Sequence, residues 1–207
     1  QNTYTFAVEV VPAPIYYWGI LAGSVAGTAG SANGTGTSAT FSGPNGMVRD
    51  SQGNLYVADG SNHVIRKIDP VTGAVTTFAG TMASPGIVNA TGTAAKFNRP
   101  CGLAIDAQDN IYVADASNNV VRKITPAGVV STFAGAGTAG SADGAATTAT
   151  FNSLTDMAIT PAGVMYVADQ VNHVIRKIEN GQVTTIAGLA ANSGNVNGTG
   201  SAARFNQ

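Results

Sequence analysis

The chain has 207 residues, 44% hydrophobic and 10% charged, with a formal net charge of −1, against roughly 25% charged residues in an ordinary soluble domain. A near-neutral chain sets up no field that would draw phosphate backbones or anionic lipid, which argues against nucleic-acid partners. No run of about 18 apolar residues occurs, which argues against a membrane-spanning helix, and the single cysteine, Cys101, has no internal partner for a disulfide.

The first residues lack the basic-then-apolar layout of a signal peptide. They read as two extended apolar runs, "YTFAVEVV" (4–11) and "IYYWGILAG" (15–23), around "PAP". The closing Ala-Gly recurs downstream. A Gly/Ala/Thr/Ser segment (22–41) ends in Phe41, and "GMVRD" (46–50), "LYVAD" (55–59), "HVIRKI" (63–68) and "AVTTFAG" (74–80) then read as four strands. Tyr, Val and Ile mark the strands, and "SQGN", "GSN" and "DPVTG" supply the turn chemistry between them. The same order returns twice, with "NIYVADASNNVVRKI" (110–124) and "VMYVADQVNHVIRKI" (164–178) echoing "NLYVADGSNHVIRKI" (54–68). Asp59, Asp115 and Asp169 stand 56 and 54 residues apart, as do Arg66, Arg122 and Arg176. Such a period means one supersecondary unit stacked on its copies to bury faces that it cannot bury alone.

Four antiparallel strands joined by tight turns, then a long loop, then the same again, describe the blade of a β-propeller. The pattern running from Phe41, Pro44, Gly46 and Asp50 through Gly53, Asn54, Tyr56 and Asp59 to Asn62, His63, Ile65, Arg66, Lys67 and Ile68 resembles the NHL repeat family of β-propellers. The second copy matches through Phe97, Pro100, Gly102, Asp106, Tyr112, Asp115, Asn118, Arg122 and Lys123. The third, "FNSLTDMAIT", lacks the Pro, carries Asp156 where Gly is expected, and has Thr160 in place of Asp.

The resemblance implies an all-β fold of four-stranded blades, with about half of a six-bladed ring in this chain. Residues 24–80, 81–135 and 136–188 are the expected blades and 189–207 the linker to another. Residues 1–23 are the degenerate end of a preceding blade or, alternatively, the tail of an upstream domain. Three routes would cover the outer faces of an open row of blades: further blades in a longer polypeptide, association of chains, or strand donation to a neighbour.

The Asp/Arg pairs recur in every blade, whereas a reacting centre occurs once. Arg66, Arg122 and Arg176 are therefore read as structural staples that fix the turn between the second and third strands. That turn and the long linker are expected to share one rim, which makes Asp59, Asn62, His63, Asp115, Asn118, Asn119, Asp169, Asn172 and His173 the candidate interaction rim. His63 and His173 do not supply the three-ligand set that a catalytic zinc prefers, so neither metal nor cofactor is expected, and no catalytic residue is assigned. Asp156 breaks the repeat and is the least ordinary residue of the innermost strands. Asn33, Asn89 and Asn197 open glycan-acceptor triplets that recur because the loop recurs.

NHL-like propellers serve as scaffolds, protein or RNA binders, and occasionally enzymes. The expectation is a non-enzymatic scaffold of secreted or cell-envelope location that meets a protein or surface partner through one rim. The alternatives are part of an NHL-like lyase whose catalytic residues lie elsewhere, or a subunit of a fibrous surface assembly.

Overall fold

A computed structural model of the chain describes residues 19–206; the run at 4–11 and residues 15–18 of that at 15–23 lie outside the described residues. Every regular element is a strand or a single 3₁₀ turn. The first sheet contains β1 (Gly34–Thr35), β2 (Pro44–Arg49), β3 (Leu55–Asp59), β4 (Val64–Ile68) and β5 (Ala74–Ala79), in the order β1-β5-β4-β3-β2. The second contains β6 (Pro100–Ile105), β7 (Ile111–Asp115), β8 (Val120–Ile124) and β9 (Val130–Ala134), paired in sequence order. The third contains β10 (Gly144–Ala145), β11 (Leu154–Ile159), β12 (Met165–Asp169), β13 (Val174–Glu179) and β14 (Gln182–Gly188), in the order β10-β14-β13-β12-β11.

All neighbouring strands are antiparallel, and the register repeats: Val57 faces Arg66, Val113 faces Arg122 and Val167 faces Arg176. The strands match the four read in each unit. The linkers do more than connect, however. Gly34–Thr35 and Gly144–Ala145 add a short fifth strand to the outer edges of their sheets, and in the middle unit the same place holds a bridge between Thr91 and Val129. Two residues are too few to show a period in the sequence.

The core lies between the sheets. Tyr56, Ala58, Ile65 and Ala79 of the first sheet pack against Phe97, Leu103, Ile111, Val113, Ile124 and Val130, next to or within the second. Tyr112, Ala114, Val121 and Ala134 meet Phe151, Leu154, Met157, Met165, Val167 and Ile178 in the same way. The middle sheet is covered on both faces, so β7 is buried along its whole length, whereas β12 in the third sheet alternates between buried and open positions. At the inner edge β2 lies beside β6, and β6 beside β11. A Cβ built on Gly46 would come within 2.7 Å of the Leu103 amide nitrogen, and one on Gly102 within 2.5 Å of Asp156 Cα. Only glycine allows that approach.

Candidate interaction rim

The turn between the second and third strands of each blade begins with an aspartate. Asp59 ends β3, a 3₁₀ turn over Gly60–Asn62 follows, and His63 takes a left-handed conformation (φ 61°) that sends the chain into β4. Asn119 (φ 56°) and His173 (φ 58°) hold the same place. Asn and His are among the non-glycine residues that tolerate this region best.

The preceding linker folds over this turn. Asp59 Oδ1 accepts the Ser42 N–H at 2.7 Å, and Oδ2 accepts Asn62 Nδ2 at 2.8 Å and Arg66 Nη1 at 2.9 Å. Arg66 Nη1 also donates to the Thr40 carbonyl, and Nη2 donates to the Ala32 carbonyl and Asn33 Oδ1, each of these two at 2.9 Å. Arg122 repeats the set on Asp115, Lys96, Val88 and Asn89, and Arg176 on Asp169, Thr150, Ala142 and Asp143. Each guanidinium stacks over a phenylalanine, Phe41, Phe97 or Phe151, at 5.0 to 5.2 Å. All three arginines and their aspartates have zero exposure.

Burial pushes the Asp115 carboxyl up, to about 6, against the opposing pull of the Asn98 amide, Asn118 and Arg122. Asp169 is raised by burial in the same direction. Each Arg Nε is buried without a partner among the described residues, so the network carries one unmet donor per blade. Buried ionic groups of this kind fix a geometry more than they add stability.

Of the nine residues read as a rim, five are buried and cannot offer their side chains to a partner, while His63, Asn118, Asn119 and His173 are half-buried. Asp59, Asp115 and Asp169 are fully enclosed, and Asn62 and Asn172 are buried. Asn62, Asn118 and Asn172 donate inward, to the Gly30, Gly86 and Gly140 carbonyls. The physical reason is that the Gly-rich linker lies on top of the turn and uses its polar groups. His63 Nδ1 accepts the Arg99 N–H at 3.1 Å, and Asn119 Oδ1 accepts the Ser153 N–H at 2.9 Å, so this position latches each blade to the next. Burial and the Arg99 charge hold the His63 imidazole below its ordinary pKa. His173 Nδ1 is buried and unpaired among the described residues.

What the rim presents instead are the turn tips Ser61, Ser117 and Val171 and linker residues such as Ile87 and Val88, all exposed. At the opposite end, Asp50 accepts the Gln52 and Asn54 amides, Asn54 Nδ2 and the Tyr56 hydroxyl. Burial and the Asp50 charge push the Tyr56 phenol up to about 12, and Tyr112 beside Asp106 follows suit. Burial likewise raises the Cys101 thiol. Asp156 is exposed, with Oδ1 accepting only its neighbour's Met157 N–H. Among the described residues no group of three or more His, Cys, Asp or Glu is arranged to hold a metal ion.

The NHL repeat model matches residues 41–68 and 97–124, the spans from the phenylalanine to the end of the third strand in the first two blades. Human NHL repeat-containing protein 2 is 40% identical over 81 residues, covering 38% of this chain and 11% of that protein. The chain covers 8% to 11% of the length of the first curated relatives it matches. A solved auxiliary nutrient binding protein from Bacteroides ovatus is 27% identical with a TM-score of 0.57, over 67% of this chain and 36% of that one. A putative phosphatase from Bacteroides thetaiotaomicron is 28% identical with a TM-score of 0.57, over 64% and 34%. With two repeats matched in sequence and the third built on the same Asp, Arg and Phe, the chain folds as a row of NHL-type β-propeller blades.

Proposed function

We propose that this chain is a non-enzymatic binding module of a secreted or cell-envelope scaffold, meeting a protein or surface partner through the rim formed by the linkers and the turns after β3, β7 and β12. One observation carries the reading: the polar residues that recur from blade to blade are spent inside the fold, whereas the tips Ser61, Ser117 and Val171 are exposed, and the third departs from the repeat. Small, uncharged, partly apolar tips on a rigid frame suit contact with a surface better than they suit acid–base chemistry. The binding-protein name of the Bacteroides ovatus structure is consistent with it.

An enzymatic reading rests on Asp156, an exposed carboxylate on an innermost strand where the other blades have glycine, and on the neighbour named a putative phosphatase. Affinity capture from envelope extract with the chain and a Ser61→Arg/Ser117→Arg/Val171→Arg variant separates the two. Rim binding predicts partners lost in the variant. Capture of nothing, together with turnover of p-nitrophenyl phosphate that Asp156→Asn abolishes, would replace the binding reading with the enzymatic one.

A further inference from the structure

Each interior seam joins the far face of one sheet to the near face of the next. Tyr56, Ala58 and Ile65 pack with Leu103, Val113 and Ile124 across the first seam, and Tyr112, Ala114 and Val121 with Met157, Val167 and Ile178 across the second. Among the described residues two faces have no sheet over them. One is the near face of the first sheet, a groove of about 340 Å³ lined by Phe41, Met47, Leu55, Val57 and Ile68 among others. The other is the far face of the third sheet, with Tyr166, Ala168, Ile175 and Ile186. Exposure marks both. Met47 is 59% exposed, whereas Leu103 and Met157 at the same register position are 6% and 7% exposed. Tyr166 is 38% exposed, against 5% and 6% for Tyr56 and Tyr112.

We infer that a second copy of this chain covers these faces, bound head to tail so that the first sheet of one copy lies on the third sheet of the other. The two faces are the halves of a seam that the chain already makes twice. Met47, Val57 and Ile68 hold the register positions of Leu103, Val113 and Ile124. Tyr166, Ala168 and Ile175 hold those of Tyr56, Ala58 and Ile65. Both interior seams pair a near face with a far face, so the new contact continues them and takes two exposed apolar surfaces out of water. Because the two faces differ, the contact is heterologous, and every added copy offers both again unless the assembly closes on itself.

One residue sets this seam apart from the interior ones. Gly46 and Gly102 hold the far-face position of their inner strands, where a Cβ would come within 2.7 and 2.5 Å of the next blade. Asp156 holds that position on the third sheet, and it is exposed. A carboxylate there has to give up water as the copies meet, which makes the association weaker than a seam with glycine and reversible.

Sedimentation velocity of the 1–207 chain from micromolar to submillimolar concentration tests this. The weight-average sedimentation coefficient should rise with concentration. Met47→Asp and Tyr166→Asp, both at exposed side chains, should each weaken association at least about tenfold. Asp156→Gly should tighten it by a similar factor, a gain that a folding defect cannot imitate. Mixing the two weakened variants should restore association, because the intact third sheet of one then meets the intact first sheet of the other. A chain that stays monomeric throughout, or association that the three substitutions leave untouched, would overturn the inference. So would a mixture no stronger than its components, since like faces would then be pairing.

Discussion

Replacing Arg122 by lysine asks whether the blades depend on a forked cation or merely on a buried positive charge. Arg122 donates from Nη1 to the Lys96 carbonyl and Asp115 at 3.0 and 3.1 Å, and from Nη2 to the Val88 carbonyl and Asn89 at 3.1 and 2.7 Å. A lysine ammonium can keep the Asp115 side of this set but has no second arm for Val88 and Asn89. Hydrogen bonds to charged groups are worth about 1.5–3 kcal/mol each. The stranded Asn89 is exposed and can turn to water, and the unmet Nε–H disappears with the guanidinium. Together these bring the expected loss to about 2–3 kcal/mol, a large share of the 5–15 kcal/mol typical of a domain. Arg122→Met, which leaves Asp115 buried without a countercharge, should cost more, about 3–5 kcal/mol, and Asp115→Asn in the same chain should recover part of that. Urea unfolding followed by far-ultraviolet circular dichroism gives these differences, provided the slope is unchanged. A lysine variant within about 0.5 kcal/mol of the parent would refute the reasoning, since two charged contacts cannot vanish at so small a cost.

Other outcomes follow from the same geometry. His63 has its pKa lowered on folding, by burial and by Arg99. It therefore binds a proton more readily when unfolded, and its contribution to stability is lost as pH falls below 6.5 toward its folded value. His63→Asn copies the working latch of Asn119, so the variant should match the parent at pH 8 and exceed it at pH 5 in parallel urea titrations. Equal losses in both chains would acquit His63, since the buried carboxylates are common to the two. Gly102→Ala should destabilise by about 1–3 kcal/mol, because its Cβ would meet backbone of the next blade; Gly19→Ala, whose Cβ meets nothing, should leave the melting temperature unmoved. Asp143→Asn should change stability by no more than about 0.5 kcal/mol, since Asn33 and Asn89 accept from their arginines without charge. It should also flatten the salt dependence of unfolding.

The blades were legible because their signals are local: Tyr-Val-Ala-Asp and Val-Ile-Arg-Lys-Ile are strands by composition, and Gly, Asn and Asp mark every turn. The burial of the rim's aspartates, Asn62 and Asn172 was illegible for a non-local reason. Asp59, Asn62 and His63 have the composition of an exposed turn, and nothing within the turn says that a linker some 30 residues upstream will close over it. One signal was present. Asn33, Asn89 and Asp143 each precede their arginine by 33 residues, a recurrence as strict as that of the Asp/Arg pair, and it ties linker to strand. The glycan-acceptor reading of Asn33 and Asn89 drew on the same recurrence, which the structure explains through their contacts with Arg66 and Arg122.

A repeated fold spends its repeated residues on itself, so the departures from the repeat are where chemistry or recognition can be added without loss of structure. In this chain they gather in the third blade. Thr160 replaces the carboxylates of Asp50 and Asp106, and its hydroxyl accepts the Val164 amide where those carboxylates accept several donors; Tyr166, unlike Tyr56 and Tyr112, is left exposed. Asp156 replaces a glycine whose counterparts, Gly46 and Gly102, admit the next inner strand to contact distance. Asp156 therefore projects a carboxylate from the far face of β11, where it shares an open groove with Tyr166. Substitutions there, rather than in the Asp/Arg staples, are the ones that can separate function from folding.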